Sequence, residues 1–190
     1  MRWFYNSFKY YNGSTCIFYY MNGDCHSAFL PLTAYICHMK ILMVCLGNIC
    51  RSPLAEGILK DKITKAQLDW EVDSAGTNGF HVGEQPHPLS QKVAKLKGIN
   101  VSNQRCRCFV KEDFDRFDII YAMAADIIDE MKWIGKDKYN ERIVKLLLNE
   151  VSPGKNKDVP DPWFGTEPGY HQVYDLMETA CEAIIKNHTR

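Results

Sequence analysis

The sequence predicts an α/β domain built on one open sheet, with helices on both of its faces. Two observations carry that prediction. Apolar runs of strand length alternate with amphipathic stretches of helical period. The first run is apolar almost without a break, as expected of a strand covered on both sides in a parallel sheet. In such sheets ligands sit at the carboxyl ends of the strands.

The elements follow in order. The first strand, 40–46, reads Lys-Ile-Leu-Met-Val-Cys-Leu, and Gly47 breaks it. Pro53 stands where the first turn of a helix tolerates a missing N–H; Leu54, Ile58, Leu59 and Ile63 then recur at helical spacing, with Glu56, Lys60 and Asp61 between them. A second strand at 70–74 ends in Ala75-Gly76-Thr77. Pro88 opens a second helix, with Val93 and Leu96 on its apolar face and Gly98 as its stop. Residues 117–123 read as a third strand, 125–133 as a helix and 142–148 as a fourth strand. A loop rich in Pro and Gly covers 152–169, and a helix from 171 to 186 follows.

This alternation occupies 39–190 and not the stretch before it. The 190 residues carry 23 Lys+Arg against 23 Asp+Glu. Residues 1–38 hold three of those charges (Arg2, Lys9 and Asp24), yet eleven aromatic side chains and three Cys, Cys16, Cys25 and Cys37. The uncharged runs on either side of Asp24 fall short of the about 20 apolar residues of a membrane helix, so no membrane span is expected. A signal peptide would need a basic start, a compact apolar stretch and a small-residue cleavage site, and no helical or strand period persists. Residues 1–38 are therefore expected to be an N-terminal extension that is disordered or outside the native product, with Met39 as the start; the alternative is an aromatic interaction arm. Mass spectrometry of the protein from its native source decides, because a first residue at Met39 removes the arm. The balance of charge in 39–190 argues against a nucleic-acid partner, since no basic excess exists to displace counterions.

The chemistry lies at the end of the first strand. Cys45-Leu-Gly-Asn-Ile-Cys-Arg51-Ser52 sets a Cys and an Arg six positions apart around a turn that leads into a helix. Such a turn aims backbone N–H groups at one anion, and the helix dipole adds positive potential. Arg51 offers a planar fork matched to two phosphoryl oxygens. A free thiol titrates at about 8.5, whereas thiols at helix N-termini fall to about 3.5–7.5, so Cys45 stands where its anion is favoured. The segment combines a nucleophile with an oxyanion cradle, and its product would be a phosphocysteine. A leaving alkoxide or phenoxide needs a proton. Asp161, fixed between Pro160 and Pro162 in Val159-Pro-Asp-Pro-Trp-Phe-Gly165, is the candidate donor. Asp158, among Lys155 and Lys157, is the alternative.

Cys45-Leu-Gly-Asn-Ile-Cys-Arg-Ser-Pro-Leu-Ala-Glu56, joined to a late Asp161-Pro162-aromatic, resembles the low-molecular-weight protein tyrosine phosphatases. The resemblance runs from about Lys40 to Lys186 and includes Val72-Asp-Ser-Ala-Gly-Thr77 and Lys111-Glu-Asp-Phe114. It implies a four-stranded parallel sheet in the order 2-1-3-4, no cofactor and no metal, and a cytoplasmic enzyme acting on phosphotyrosine proteins and small aryl phosphates. It makes Cys45 the nucleophile, Arg51 the phosphate ligand and transition-state stabiliser, and Asp161 the acid and then the base. Leu46, Gly47, Asn48, Ile49, Cys50, Arg51 and Ser52 become the phosphate-binding loop. Ser52 hydrogen-bonds the thiolate, while Asn48 and Ser74 hold the loop in shape. Trp163 and Phe164, beside the acid, and Ile49 read as walls for an aromatic substrate, and Phe80 completes the wall in the family pattern. Cys50 becomes a reversible disulfide partner that protects the nucleophile.

The chain also departs from the pattern. Trp163 and Phe164 replace the two Tyr that many relatives carry for regulatory phosphorylation, and Ala124 stands where an Asp often follows Met123, which leaves that carboxylate absent or shifted to Asp126. His81 and His87, with no third ligand at a standard spacing, read as surface histidines; Cys106, Cys108 and Cys181 read as free cytosolic thiols. Two rival activities share the loop. Thioredoxin-linked arsenate reductases need a further Cys pair some 70–80 residues on, and 115–125 contain none. Protein-arginine phosphatases typically have Thr where Ile49 stands, and an apolar Ile suits a flat phenyl ring. A binder of phosphorylated partners without turnover fits poorly with nucleophile, Arg and acid all present.

Overall fold

The computed structural model describes residues 5–11, 14–21 and 24–30 as backbone strands, and 38–189 in full. They belong to two units, Met1–Cys37 and His38–Arg190. In the first, β1 (Tyr5–Tyr11), β2 (Ser14–Met21) and β3 (Asp24–Leu30) pair antiparallel in that order. Thr15 stands opposite Leu30 and Met21 opposite Asp24. The sequence shows no lasting strand period here. The rest of the expected extension, 1–4, 12–13, 22–23 and 31–37, lies outside the described residues.

The second unit starts from β4 (Met39–Cys45), whose Ile41, Leu42, Met43 and Val44 are fully buried. It pairs in parallel with β5 (Trp70–Gly76) on one side and with β6 (Ile119–Ala122) on the other, and β6 pairs in parallel with β7 (Val144–Leu146). The sheet order β5-β4-β6-β7 is second-first-third-fourth in this unit, the order the resemblance implied. Side chains alternate between the faces of a strand, so β4 divides the core. Ile41 and Met43 pack with Leu54, Ile58 and Leu59 of α1 (Arg51–Lys65), with Val93 of α2 (Pro88–Leu96), and with Tyr170, Val173 and Met177 of a long C-terminal helix. Leu42 and Val44 pack with Phe114 of a short α3 (Asp113–Arg116) and with Ile127 and Met131 of α4 (Ala125–Gly135). The C-terminal helix α5 is Glu167–His188.

Differences from the sequence lie at boundaries and in one omission. α5 starts a turn before 171 because Pro168 fits its first turn. β7 has three residues rather than seven, since a 3-10 turn takes over at Leu147–Glu150. The short α3 has no period of its own to announce it. Among the described residues, no helix is long and apolar enough to cross a membrane.

Candidate active site

β4 ends at Cys45 and α1 begins at Arg51, so 46–50 must turn the chain sharply at the carboxyl end of the central strand. Asn48 adopts a positive φ of 52° to allow it. The scaffold holds the loop by its carbonyls. The Cys45 and Leu46 carbonyls accept from Thr77 N and Asn78 N at 3.0 Å each, and Ile49 O accepts from His87 N at 2.8 Å. Gly47 O accepts from Cys106 Sγ and Cys50 O from Ser90 Oγ, both at 3.2 Å. In a planar trans peptide the N–H points opposite to the carbonyl. Fixing these carbonyls outward therefore turns the N–H groups that follow them, those of Leu46, Gly47, Asn48, Cys50 and Arg51, toward the hollow of the loop. One of them, Asn48 N, donates to Cys45 Sγ at 3.2 Å.

A buried polar chain supports this geometry. Ser52 Oγ lies 3.0 Å from Cys45 Sγ. Asn48 Nδ2 donates to Ser52 Oγ at 2.9 Å and to Ser74 Oγ at 2.8 Å, and Ser74 Oγ donates to Glu56 Oε2 at 2.6 Å. Asn48 Oδ1 accepts from Arg107 N at 3.0 Å. The Arg107 side chain is itself clamped between Asp73 and the fully buried Asp113. Below the loop, Gly76 leaves no room for a side chain: a Cβ there would stand 2.8 Å from Leu46 O and 3.0 Å from Asn48 N.

Arg51 is almost wholly buried, and its Nη2 pairs with Asp161 Oδ2 at 2.6 Å. Asp161 Oδ1 accepts from Trp163 N at 3.0 Å. Cys45, Leu46, Gly47, Ile49, Cys50, Arg51, Asn78, His81, Asp161, Trp163 and Phe164 line one pocket of about 210 Å³. An apolar cavity of about 150 Å³ takes up benzene, so this volume admits a phenyl ring. Burial pushes the Cys50 thiol up to about 11, partly offset by its contact with Tyr170 Oη at 3.5 Å. Burial does the same to Cys106, also to about 11.

The family profile described as low molecular weight phosphotyrosine protein phosphatase matches residues 40–190. The chain belongs to that family. It is 37% identical over 149 residues to the low-molecular-weight protein-tyrosine-phosphatase YfkJ of Bacillus subtilis, covering 77% of this chain and 94% of the relative. The crystal structure of YfkJ superposes with a TM-score of 0.73 at 35% identity, over 80% of this chain and 95% of that one. A protein tyrosine phosphatase from Entamoeba histolytica, solved with Hepes in its active site, gives a TM-score of 0.71 at 39% identity, over 78% and 96% of the two chains.

Most residues assigned from the phosphatase resemblance meet at this pocket or in the chain of hydrogen bonds behind it. Phe80, and His81 and His87 as surface groups, stand otherwise than expected. Phe80 is no wall: it is 85% exposed and absent from the pocket lining, because its loop turns it outward and leaves the wall position to His81. His81 and His87 are not free surface groups, for both rings pack on Trp163. Asp158 and Asp161 separate cleanly: Asp158 Oδ1 accepts from Ala125 N at the start of α4, 2.9 Å away, while Asp161 faces the pocket. Asp126 Oδ1 accepts from Ile127 N within the first turn of α4 and stays outside the lining. Sequence reasoning left Glu56 and Arg107 without roles. A charged residue at an apolar position of a helix was the available sign for Glu56. Nothing local marks Arg107, which joins Asp113, six residues on, to Asp73, 34 residues back.

Proposed function

We propose that this phosphatase-family chain hydrolyses phosphotyrosine in proteins, and small aryl phosphates, through a phosphocysteine. The Cys45 thiolate attacks phosphorus while the bond to the phenolic oxygen breaks. Arg51 and the inward N–H groups hold the phosphoryl oxygens, which carry the developing charge. Asp161 gives its proton to the leaving phenolate. It then takes a proton from the water that attacks the phosphocysteine, and inorganic phosphate and the thiolate are released. One observation carries this: Cys45, Arg51 and Asp161 share one pocket, whose lining also presents the apolar Ile49, Trp163 and Phe164 to a phenyl ring. The same position of Cys50 in the lining supports its role as disulfide partner, formed when peroxide oxidises Cys45 and the Cys50 thiol condenses with the sulfenic acid, losing water. With this reading goes the cytoplasmic setting that the family resemblance implies.

The deciding experiment compares hydrolysis of phosphotyrosine and phosphoarginine peptides by the purified protein. Phosphotyrosine is expected to be the preferred substrate; a strong arginine preference overturns the assignment. Cys45→Ser is expected to abolish turnover and keep phosphate binding, and substantial hydrolysis by that variant sinks the covalent mechanism.

A further inference from the structure

We propose that His87 is a positioning residue for Asp161 and acts through Trp163. The proposal rests on Asp161 being the acid of the reaction described above. Two groups hold the Asp161 carboxylate: Arg51 at Oδ2 and Trp163 N at Oδ1. A bound phosphoryl group takes the Arg51 fork for itself, which leaves Trp163 as the remaining hold. The placement of Trp163 therefore sets where the acid stands at the moment it is needed.

The Trp163 ring rests on two imidazoles, His81 at 5.6 Å and 53° and His87 at 5.4 Å and 67°. His81 lines the pocket and can touch substrate directly. His87 stands behind Trp163 and joins three parts of the site. Its N–H donates to Ile49 O of the phosphate loop at 2.8 Å. Its ring stacks on Tyr170 of α5 at 5.3 Å and 14°, and Tyr170 Oη lies 3.5 Å from Cys50 Sγ. Its Nδ1 accepts from Leu89 N at 3.3 Å, which ties the ring to the first turn of α2. An imidazole that accepts at Nδ1 is the neutral tautomer with its proton on Nε2, and burial pushes His87 below the ordinary histidine range. The ring is thus a neutral aromatic, stacked on Tyr170 and meeting the Trp163 ring edge-on. It transfers the fixed position of the phosphate loop and α5 to the loop that carries the acid.

Two variants separate the ring from its capping bond. His87→Asn keeps an acceptor for Leu89 N and removes the ring; His87→Phe keeps a ring and removes the acceptor. The readout is the ratio of kcat/KM on p-nitrophenyl phosphate, whose leaving group departs without a proton, to kcat/KM on phenyl phosphate, whose leaving group needs one. Both rates come from one preparation, so any unfolded fraction cancels. His87→Asn is expected to raise the ratio about tenfold, as a displaced acid does, and His87→Phe to bring it back toward the parent value. An unchanged ratio in His87→Asn, with a raised ratio in Asp161→Asn, overturns the role of His87 and leaves the acid in place. An equal rise in both His87 variants also overturns it, because restoring a ring would then restore nothing. An unchanged ratio in Asp161→Asn removes the acid and the positioning role together.

Discussion

Replacing Gly76 with Ala tests whether the phosphate loop is seated on the sheet edge by contact alone. The φ of Gly76 is not positive, so the substitution introduces no backbone strain. What it adds is one carbon atom, 2.8 Å from Leu46 O, 3.0 Å from Gly47 C and 3.0 Å from Asn48 N. All three are backbone atoms and cannot swing aside like a side chain. Gly76 cannot retreat either, because its N–H donates to Arg107 O at 2.9 Å and its carbonyl accepts from Phe109 N at 2.7 Å. Ordinary contact therefore requires the loop to rise by about half an ångström, and since a displacement of 1 Å costs about a hundredfold, the expected fall in kcat/KM is about tenfold. Overpacking of this kind also costs about 1–3 kcal/mol, or about 2–10 °C in Tm for a domain of this size. The assay is steady-state hydrolysis of p-nitrophenyl phosphate, with inorganic phosphate as a competitive inhibitor, below the variant's melting temperature. Full activity with unchanged phosphate inhibition would refute the reasoning, since the loop would then have room that the geometry denies it.

Glu56→Ala leaves Ser74 Oγ without its buried acceptor, and is expected to cost about 1–3 kcal/mol in thermal or urea unfolding with a loss of turnover; Glu56→Gln, which keeps an oxygen acceptor, is expected to lose less. Asp158→Ala removes the acceptor of the Ala125 N–H and is expected to lower stability by about 1 kcal/mol at unchanged kcat, whereas Asp161→Asn is expected to slow phenyl phosphate hydrolysis by about 10²–10⁴; a kcat loss in the Asp158 variant reverses the assignment of the acid. Because burial holds Cys50 at about 11, its thiolate fraction is small at neutral pH and grows with pH up to that value. The Cys45–Cys50 disulfide formed after peroxide treatment is therefore expected to close about tenfold faster per pH unit between neutral pH and pH 9, as followed by mass spectrometry after thiol alkylation. A flat profile would show that Cys50 does not attack as the thiolate.

The parts of the molecule readable from the sequence are those fixed by near neighbours. An apolar run such as 40–46 announces a doubly covered strand, and a Cys, Gly and Arg within seven residues define the loop's chemistry before any fold is known. Asp161 could be read because two prolines fix its backbone. What stayed hidden depends on residues far apart in the chain. Arg107 reaches Asp73 and Asp113, Glu56 reaches Ser74, and Trp163 meets His81 and His87 across some 80 residues; no local period encodes such meetings. Phe80 shows the opposite error, an aromatic placed in the wall by analogy although its own loop faces it to solvent. The strands of the first unit are not read from the sequence, because no side-chain alternation persists over 1–38 to announce them.

The ion pair between Arg51 and Asp161 has a consequence for the end of the catalytic cycle. The carboxylate pairs with the guanidinium, so any anion, substrate or product, must compete with a tethered rival that never diffuses away. A rival of fixed local concentration weakens all anions alike, but the substrate regains the loss through its aromatic ring against Ile49 and Trp163. Inorganic phosphate has no ring and does not. The pair thus tilts the pocket toward discharging its product, and a chain lacking the Asp161 carboxylate would hold inorganic phosphate longer than the parent does.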